Sequence, residues 1–455
     1  MAFFDDILNN LPEVQPPTQK KLAFNEKLKW TMITLVLFFV MGLVPLYGLG
    51  ANALQQFEFL SVILGASFGS IISLGIGPIV TGSIVLQLLN GSGIVKFDLT
   101  THEGKKRYQG IQKLLSVFFV IFEGAIYVGM GGLAPSPGIS PAVLIFQLFL
   151  GGVLIMLMDE VVSKWGFGSG ISLFIAAGVS QSLVIRAFNP LPSPSQPGIA
   201  AGALPGLIQS LSAGDAITAG LFLAGIIATI VVFVMVVYGQ SMKVEIPLSF
   251  GRVRGYGVRW PLHFFYTSNI PVILVAALIA NVQLFAKLLA NWGYPLLGTF
   301  SGNSPVSGFA AWLYGPQITR LLITSSLSAA DIWHALVYMA FMIVGAVVFS
   351  VFWVQTSGLD PRAQANQMIN SGLQIPGFRK DIRVLERMLS RYIWPLTVLG
   401  GIAVGLLAAL ADVSGALTSG TGLLLTVSIV YRLYEEIAQQ HLMDMNPMMR
   451  KFMTG

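Results

Sequence analysis

The side chains here with chemistry to offer are few and scattered. The four histidines (His102, His263, His334 and His441) stand far apart, which argues against a metal cluster, and a chain without cysteine has no disulfides or thiol-ligated metals. A phosphate-binding Gly-x-x-x-x-Gly-Lys-Ser/Thr loop and a zinc-binding His-Glu-x-x-His pair are both missing. Ser169 sits between Gly168 and Gly170, but spacing pairs it with no histidine or carboxylate, so it reads as part of a glycine-rich helix entry. Ionisable residues inside apolar stretches mark pathways and relays. Glu123 is the main one; Asp159 and Glu160 end an apolar run beside Lys164, and Asp412 lies at an outer end. No nucleophile–base pair emerges, so neither enzymatic activity nor a cofactor is expected.

What recurs is apolar pairs flanked by glycine or proline. Ile76 and Val80 follow Gly75 and Gly77; Ile171 and Ile175 follow Gly166, Gly168 and Gly170. Residues four apart share a helix face. Ile270 and Ile273 flank Pro271, and Leu424 and Leu425 follow Gly420 and Gly422. A ring of such side chains makes a hydrophobic constriction, which closes by dewetting. Packing against a neighbouring helix explains any one pair as well; repetition on four stretches favours the ring.

These pairs need spans to carry them. The chain has 455 residues, 55% hydrophobic and 10% charged, with a mean hydropathy of +0.75, a balance that belongs to polytopic membrane proteins. Apolar runs lie at roughly 29–49, 70–90, 111–131, 141–158, 169–188, 217–238, 262–285, 330–354, 392–411 and 420–438, each near the ~20 residues a spanning helix needs. With both termini cytosolic, this alternation leaves only Arg186, Lys287 and Arg320 of the 26 lysines and arginines outside, as the positive-inside rule demands. Ten spans divide into five and five, so related halves would be inverted, a design that puts the working site at their interface. The glycines and Pro78 in Ser73–Ser83 weaken the start of the second span, and Pro78 suits a helix's first turn. Gln55–Ser67 is too short to span and has the length of a re-entrant half-helix. Phe3–Leu11 reads as a short surface helix, and the external loops 189–216 and 289–329, rich in Pro, Gly and Ser, as surface decoration.

The expected organisation is a cytosolic arm (1–28), an N-terminal five-helix half (29–188), an external loop (189–216), a C-terminal five-helix half (217–438) and a cytosolic tail (439–455). Two cytosolic loops, 239–260 and 356–391, are long and basic; the positive-inside rule alone explains their charge in a generic membrane protein, while their length fits docking to an RNA-containing partner.

Several motifs together resemble the SecY family, the large subunit of the protein-conducting channel, over nearly the whole chain. They are Leu-Lys-Trp30, Gly-Ile-Gly-Pro-Ile-Val-Thr81, Gly-Ser-Gly-Ile-Ser-Leu-Phe-Ile-Ala-Ala-Gly-Val-Ser180, Lys-Val-Glu-Ile-Pro-Leu248, Ser-Asn-Ile-Pro-Val-Ile273, Pro-Gly-Phe-Arg379 and Gly-Thr-Gly-Leu-Leu-Leu-Thr-Val-Ser428. Their wording is similar to archaeal members, with the alpha subunit of the eukaryotic translocon the next relative.

The resemblance implies an all-α polytopic membrane protein of about ten transmembrane helices, built as two inverted five-helix halves with a re-entrant plug at about 55–67. It implies a pore ring of Ile76, Val80, Ile171, Ile175, Ile273 and Leu425, although three leucines in a row leave the last register open by one. It also implies a lateral gate with Thr81, Glu123 and Asn281 as its polar cluster, and ribosome docking through Arg252, Arg254 and Arg379. The implied partners are SecE-type and SecBeta-type small subunits, the ribosome, and nascent polypeptides with signal sequences, in the cell (plasma) membrane. Against it stands a secondary transporter with inverted repeats, which would need paired polar groups at mid-membrane; Glu123 is the main one present.

Overall fold

The computed structural model describes residues 12–18, 22–50, 69–91, 93–95, 97, 102–129, 131–193, 196–250, 257–267, 270–291, 293–301, 304–371, 373–374 and 381–445. The stretches expected to form the plug (55–67) and a surface helix (Phe3–Leu11), and the residues Arg252, Arg254 and Arg379, lie outside the described residues.

Each of the ten apolar runs falls on a helix. In chain order these are α1 (Phe24–Gly42), α2 (Gly77–Gly91), α3 (His102–Gly129), α4 (Pro141–Trp165), α5 (Gly170–Phe188), α6 (Ala216–Ser241), α7 (Ile270–Asn291), α8 (Ala329–Thr356), α9 (Ile382–Ser414) and α10 (Gly420–Met445). Among the described residues, α3 to α9 contain the seven stretches long and apolar enough to cross a membrane by length and composition. The other three fall short for local reasons. The α2 helix has 15 residues, α1 opens with Glu26, Lys27 and Lys29, and α10 runs on through Arg432, Glu435 and Glu436. Helix starts follow local chemistry. Asp215 accepts from the Thr218 N–H to cap α6, Ser328 and Asp331 form a reciprocal capping box on α8, and Pro141 opens α4 where no donor is lost. Apolar faces point outward, as on α1 (Val36, 62% exposed) and α6 (Val234, 57%). Such faces are stable against lipid, not water.

The chain divides into two compact units, residues 1–182 with 429–455, and residues 183–428. In the first, Leu46, Leu74, Val120, Val128, Leu133, Leu144 and Leu148 form a core between α3, α4 and the segment leading into α2. Close backbone approach depends on glycine. A Cβ on Gly151 would stand 1.8 Å from the Ile71 carbonyl oxygen, and one on Gly82 would stand 2.9 Å from the Ser116 nitrogen. The two ends of the chain are tied together in this unit. Lys27 Nζ donates to Gln440 Oε1 at 3.0 Å and Gln440 Nε2 donates to the Leu22 carbonyl at 3.2 Å.

In the second unit, α8 and α9 pack through Gly401 and Gly405, whose added Cβ atoms would meet the Ser350 hydroxyl at 2.8 Å and the Ile343 Cα at 2.9 Å. The core includes Val236, Val272, Val275, Met342, Ala346, Ala408 and Leu424. Two points differ here from the hydropathy reading. The basic loop 239–260 carries strands that hydropathy does not reveal: Lys243–Phe250 and Gly257–His263 pair antiparallel, and Leu373–Gln374 adds a short third strand. The seventh span begins at Ile270, not 262, because Leu262 and His263 belong to a strand and a hydropathy run does not separate strand from helix. Ile246 and Leu262 from this hairpin are buried with Leu385, Leu389 and Ile393 of α9, whose helix reaches back to Ile382. The loops 189–216 and 289–329 also carry structure: paired strands Pro192–Ser193 and Gln196–Ala200 with helix Ala203–Ser212, and short strands and helices between 300 and 323.

Candidate functional site

The start of α2 is a built feature. Gly75 takes a positive φ of 56°, its N–H bonds to the Ile72 carbonyl, and the Val80 N–H bonds to the Ile76 carbonyl at 3.0 Å. Ile76 therefore stands at the N-terminal edge of α2, buried at 2% exposure, and Val80 follows one turn on, half-buried. Thr81 Oγ1 donates to the Gly77 carbonyl at 2.9 Å. The Glu123 carboxyl of α3 lies beside this hydroxyl, so two of the three residues assigned to the lateral gate are neighbours. Asn281 lies within α7 in the other unit, and its side chain is outside the described set.

The α5 helix carries Ile171 (half-buried) and Ile175 (buried) in its first two turns. Its start is held from α4, where Asp159 Oδ1 accepts from the Ile171 N–H at 2.8 Å. Gly170 lies so close that an added Cβ would be 2.5 Å from the Asp159 Cα. Phe174 stacks on Phe38 with ring centroids 4.8 Å apart.

In the second unit, Ile273 is half-buried in the first turn of α7 and Leu425 is buried in the second turn of α10. Their neighbours Val272, Val275, Leu423 and Leu424 belong to that unit's core cluster; Ile273 and Leu425 do not. The start of α10 is held from α9, as Asp412 Oδ1 accepts from the Gly420 N–H at 2.7 Å and Oδ2 accepts from the Tyr338 hydroxyl at 2.8 Å. A Cβ on Gly420 would be 1.9 Å from the Ala408 carbonyl oxygen. Sequence reasoning set both aspartates aside as span-end residues. The usable signal was a carboxylate 8 or 11 residues before a glycine that opens the next helix.

In the second unit, strands lead towards the three arginines assigned to docking. Ser249 pairs with Gln374 and Phe250 with Leu373, immediately before the undescribed segments that hold Arg252, Arg254 and Arg379. In the first unit an arm segment docks on α4. Lys164 Nζ donates to Glu13 Oε1 at 2.7 Å and to the Val14 carbonyl, Glu160 accepts from the Val14 N–H at 3.0 Å and pairs with Lys113, and Trp165 donates to the Gln15 carbonyl. The Lys164 ammonium holds the Glu13 carboxyl below its usual value. Among the described residues no group of His, Asp and Glu could hold a metal ion. The arrangement is one of apolar side chains at fixed helix starts.

Comparison with known proteins accounts for this pattern. The SecY family model matches residues 70–434, and a model of the plug domain of Sec61p matches residues 36–69. A protein translocase subunit SecY from Methanothermobacter thermautotrophicus is 49% identical over 454 residues, covering 99% of this chain and 98% of that protein. A solved protein conducting channel superposes with a TM-score of 0.80 at 44% identity, over 96% of this chain and 97% of the other. Sec61 in the canine ribosome-channel complex from the endoplasmic reticulum gives 0.79 at 43% identity, with coverage of 96% and 97%. The chain is a polytopic, predominantly helical membrane protein, and it belongs to the SecY family.

Proposed function

We propose that this chain is the channel-forming subunit of a protein translocase, passing unfolded polypeptides across the cell (plasma) membrane and releasing apolar segments sideways into lipid. The observation that carries this is full-length likeness, in sequence and in fold, to a translocase subunit and to a protein conducting channel. In this reading both termini are cytosolic, and Ile76, Val80, Ile171, Ile175, Ile273 and Leu425 line the constriction. The plug at about 55–67 falls within the stretch matched by the plug-domain model. The half-burial of Ile273 in the first turn of α7 supports a lining role for it.

Physical logic supports the same reading. A channel for arbitrary sequences must not bind by specific polar contacts, and an apolar collar seals around a chain without gripping it. Sideways release is favourable at roughly −0.3 to −0.6 kcal/mol per Leu, Ile, Phe or Val. Thr81 and Glu123, with Asn281, give the lateral gate its polar cluster. Arg252, Arg254 and Arg379 dock the ribosome, as the family's ribosome-bound structures make reasonable, and SecE-type and SecBeta-type subunits complete the complex. A solute transporter is not favoured by these relatives.

The test is site-directed crosslinking in this naturally cysteine-free chain. Cysteine at Val80 is paired with single cysteines along a ribosome-stalled secretory precursor. Successive crosslinks as the precursor lengthens are expected. A translocated precursor that never crosslinks at Val80 would move the path away from this ring.

A further inference from the structure

Two helix starts in this chain are secured by the same device. The α5 helix opens on Gly170, with an aspartate of α4 accepting from the Ile171 N–H at 2.8 Å; α10 opens on Gly420, with an aspartate of α9 accepting from the Gly420 N–H at 2.7 Å. In each case the glycine is pressed against the preceding helix, 2.5 Å from the Asp159 Cα or 1.9 Å from the Ala408 carbonyl oxygen for an added Cβ. At the second start a hydroxyl also holds the carboxylate, Tyr338 donating to Asp412 at 2.8 Å. The first turns of a helix leave backbone donors without intrahelical partners, and a side-chain acceptor fixes where the helix begins. Those turns carry Ile171 and Ile175 in α5 and Leu425 in α10.

We propose that Asp159 and Asp412 are positioning residues for the channel seal, fixing the height and rotation of α5 and α10 so that Ile171, Ile175 and Leu425 meet the constriction. The inference rests on the ring reading above. Glu123 is the ionisable residue that sequence singled out inside a span; these two carboxylates act instead at helix starts, by accepting backbone hydrogen bonds. Ser419 Oγ still accepts from the Gly422 N–H of α10 at 3.2 Å, so what the aspartates add is the tie of the first donor to the preceding helix; without it that end can slip by a residue, and because a helix turns about 100° per residue the apolar side chain leaves the seal.

The experiment measures ion conductance of the purified complex in planar bilayers for D159A, D159N, D412A and D412N, with the ring variant carrying glycine at Ile76, Val80, Ile171 and Ile175 as reference. Asparagine caps about as well as aspartate while alanine does not. The alanine variants are expected to leak at a level between wild type and the ring variant, and the asparagine variants to seal. A leak from asparagine equal to that from alanine makes the charge, not the cap, decisive and overturns the proposal. So does a wild-type seal in both alanine variants while the ring variant leaks. A ring variant that does not leak overturns the ring reading itself, a distinguishable result. Should D412A fail to accumulate, Y338F removes only the hydroxyl behind the cap. A raised leak from it supports the proposal, and an unchanged seal overturns it for α10.

Discussion

Replacing Gly151 with alanine puts the tightest backbone contact of the first unit under load. The new methyl carbon would stand 1.8 Å from the Ile71 carbonyl oxygen and 2.8 Å from its carbon. Carbon–oxygen contacts settle at about 3.3–3.6 Å, so α4 and the segment before α2 must separate by roughly 1.5 Å. Overpacking of this kind costs about 1–3 kcal/mol. Both clashing partners here are held by backbone, so the upper end applies, about 3 kcal/mol, or roughly a hundredfold in the folding equilibrium. The displaced segment runs directly into Ile76, so a leak should accompany the destabilisation. Denaturant unfolding of the purified complex, followed by tryptophan fluorescence, reads the first effect; bilayer conductance reads the second. Gly129 is the internal control: nothing lies within 4 Å of an added Cβ, so G129A should be neutral or stabilising by up to about 1 kcal/mol. Equal shifts in the two variants, or a G151A protein as stable as wild type, would refute the argument that a glycine sets this helix spacing.

Three further outcomes are expected. R379E should weaken ribosome binding several-fold at low salt, with the difference from wild type closing as salt rises; equal affinities in co-sedimentation would remove Arg379 from the docking surface. N281L should shift the hydrophobicity at which a test segment enters lipid by about 0.5 kcal/mol, one leucine's worth, and an unmoved threshold in a glycosylation-mapping assay would take Asn281 out of the gate. Docking of the arm onto α4 should loosen in acid. The Glu13 carboxyl is held low by Lys164, so its contribution is present above its usual value and is lost as pH falls through the lowered one. At 61% side-chain exposure the effect is at most about 1 kcal/mol, as for surface pairs. Hydrogen exchange at residues 13–15 reads it, and an E13Q variant with the same pH dependence as wild type would discount this carboxyl.

Much of the fold was legible because the bilayer simplifies the code. A span must satisfy its backbone internally, so ten apolar runs could hardly be anything but ten helices, and the Gly-Pro break at Gly77-Pro78 does open α2. The hairpin of Lys243–Phe250 and Gly257–His263 was harder. Val244, Ile246 and Leu248 alternate with polar neighbours or proline, a period-two pattern, but Pro247 and Pro261 lie within the strands and proline usually argues against a strand. Boundaries drifted where apolar composition outlasted the helix, as at Leu262 and His263. In the candidate site, pairs spaced four apart were visible. The capping aspartates were not, because their partners lie across a turn that no periodicity describes. The Glu123–Thr81 pair spans two helices and depended on the family likeness.

The Lys27–Gln440–Leu22 clamp has a consequence for how the molecule is made. Residues 429–455 complete the same unit as residues 1–182, so the N-terminal unit stays open while the ribosome still holds the last helix. The clamp closes only when residue 440, more than 400 positions after its partners, has left the exit tunnel. A truncated product therefore presents an unfinished first unit rather than a finished one with a missing tail, a defect open to a protease.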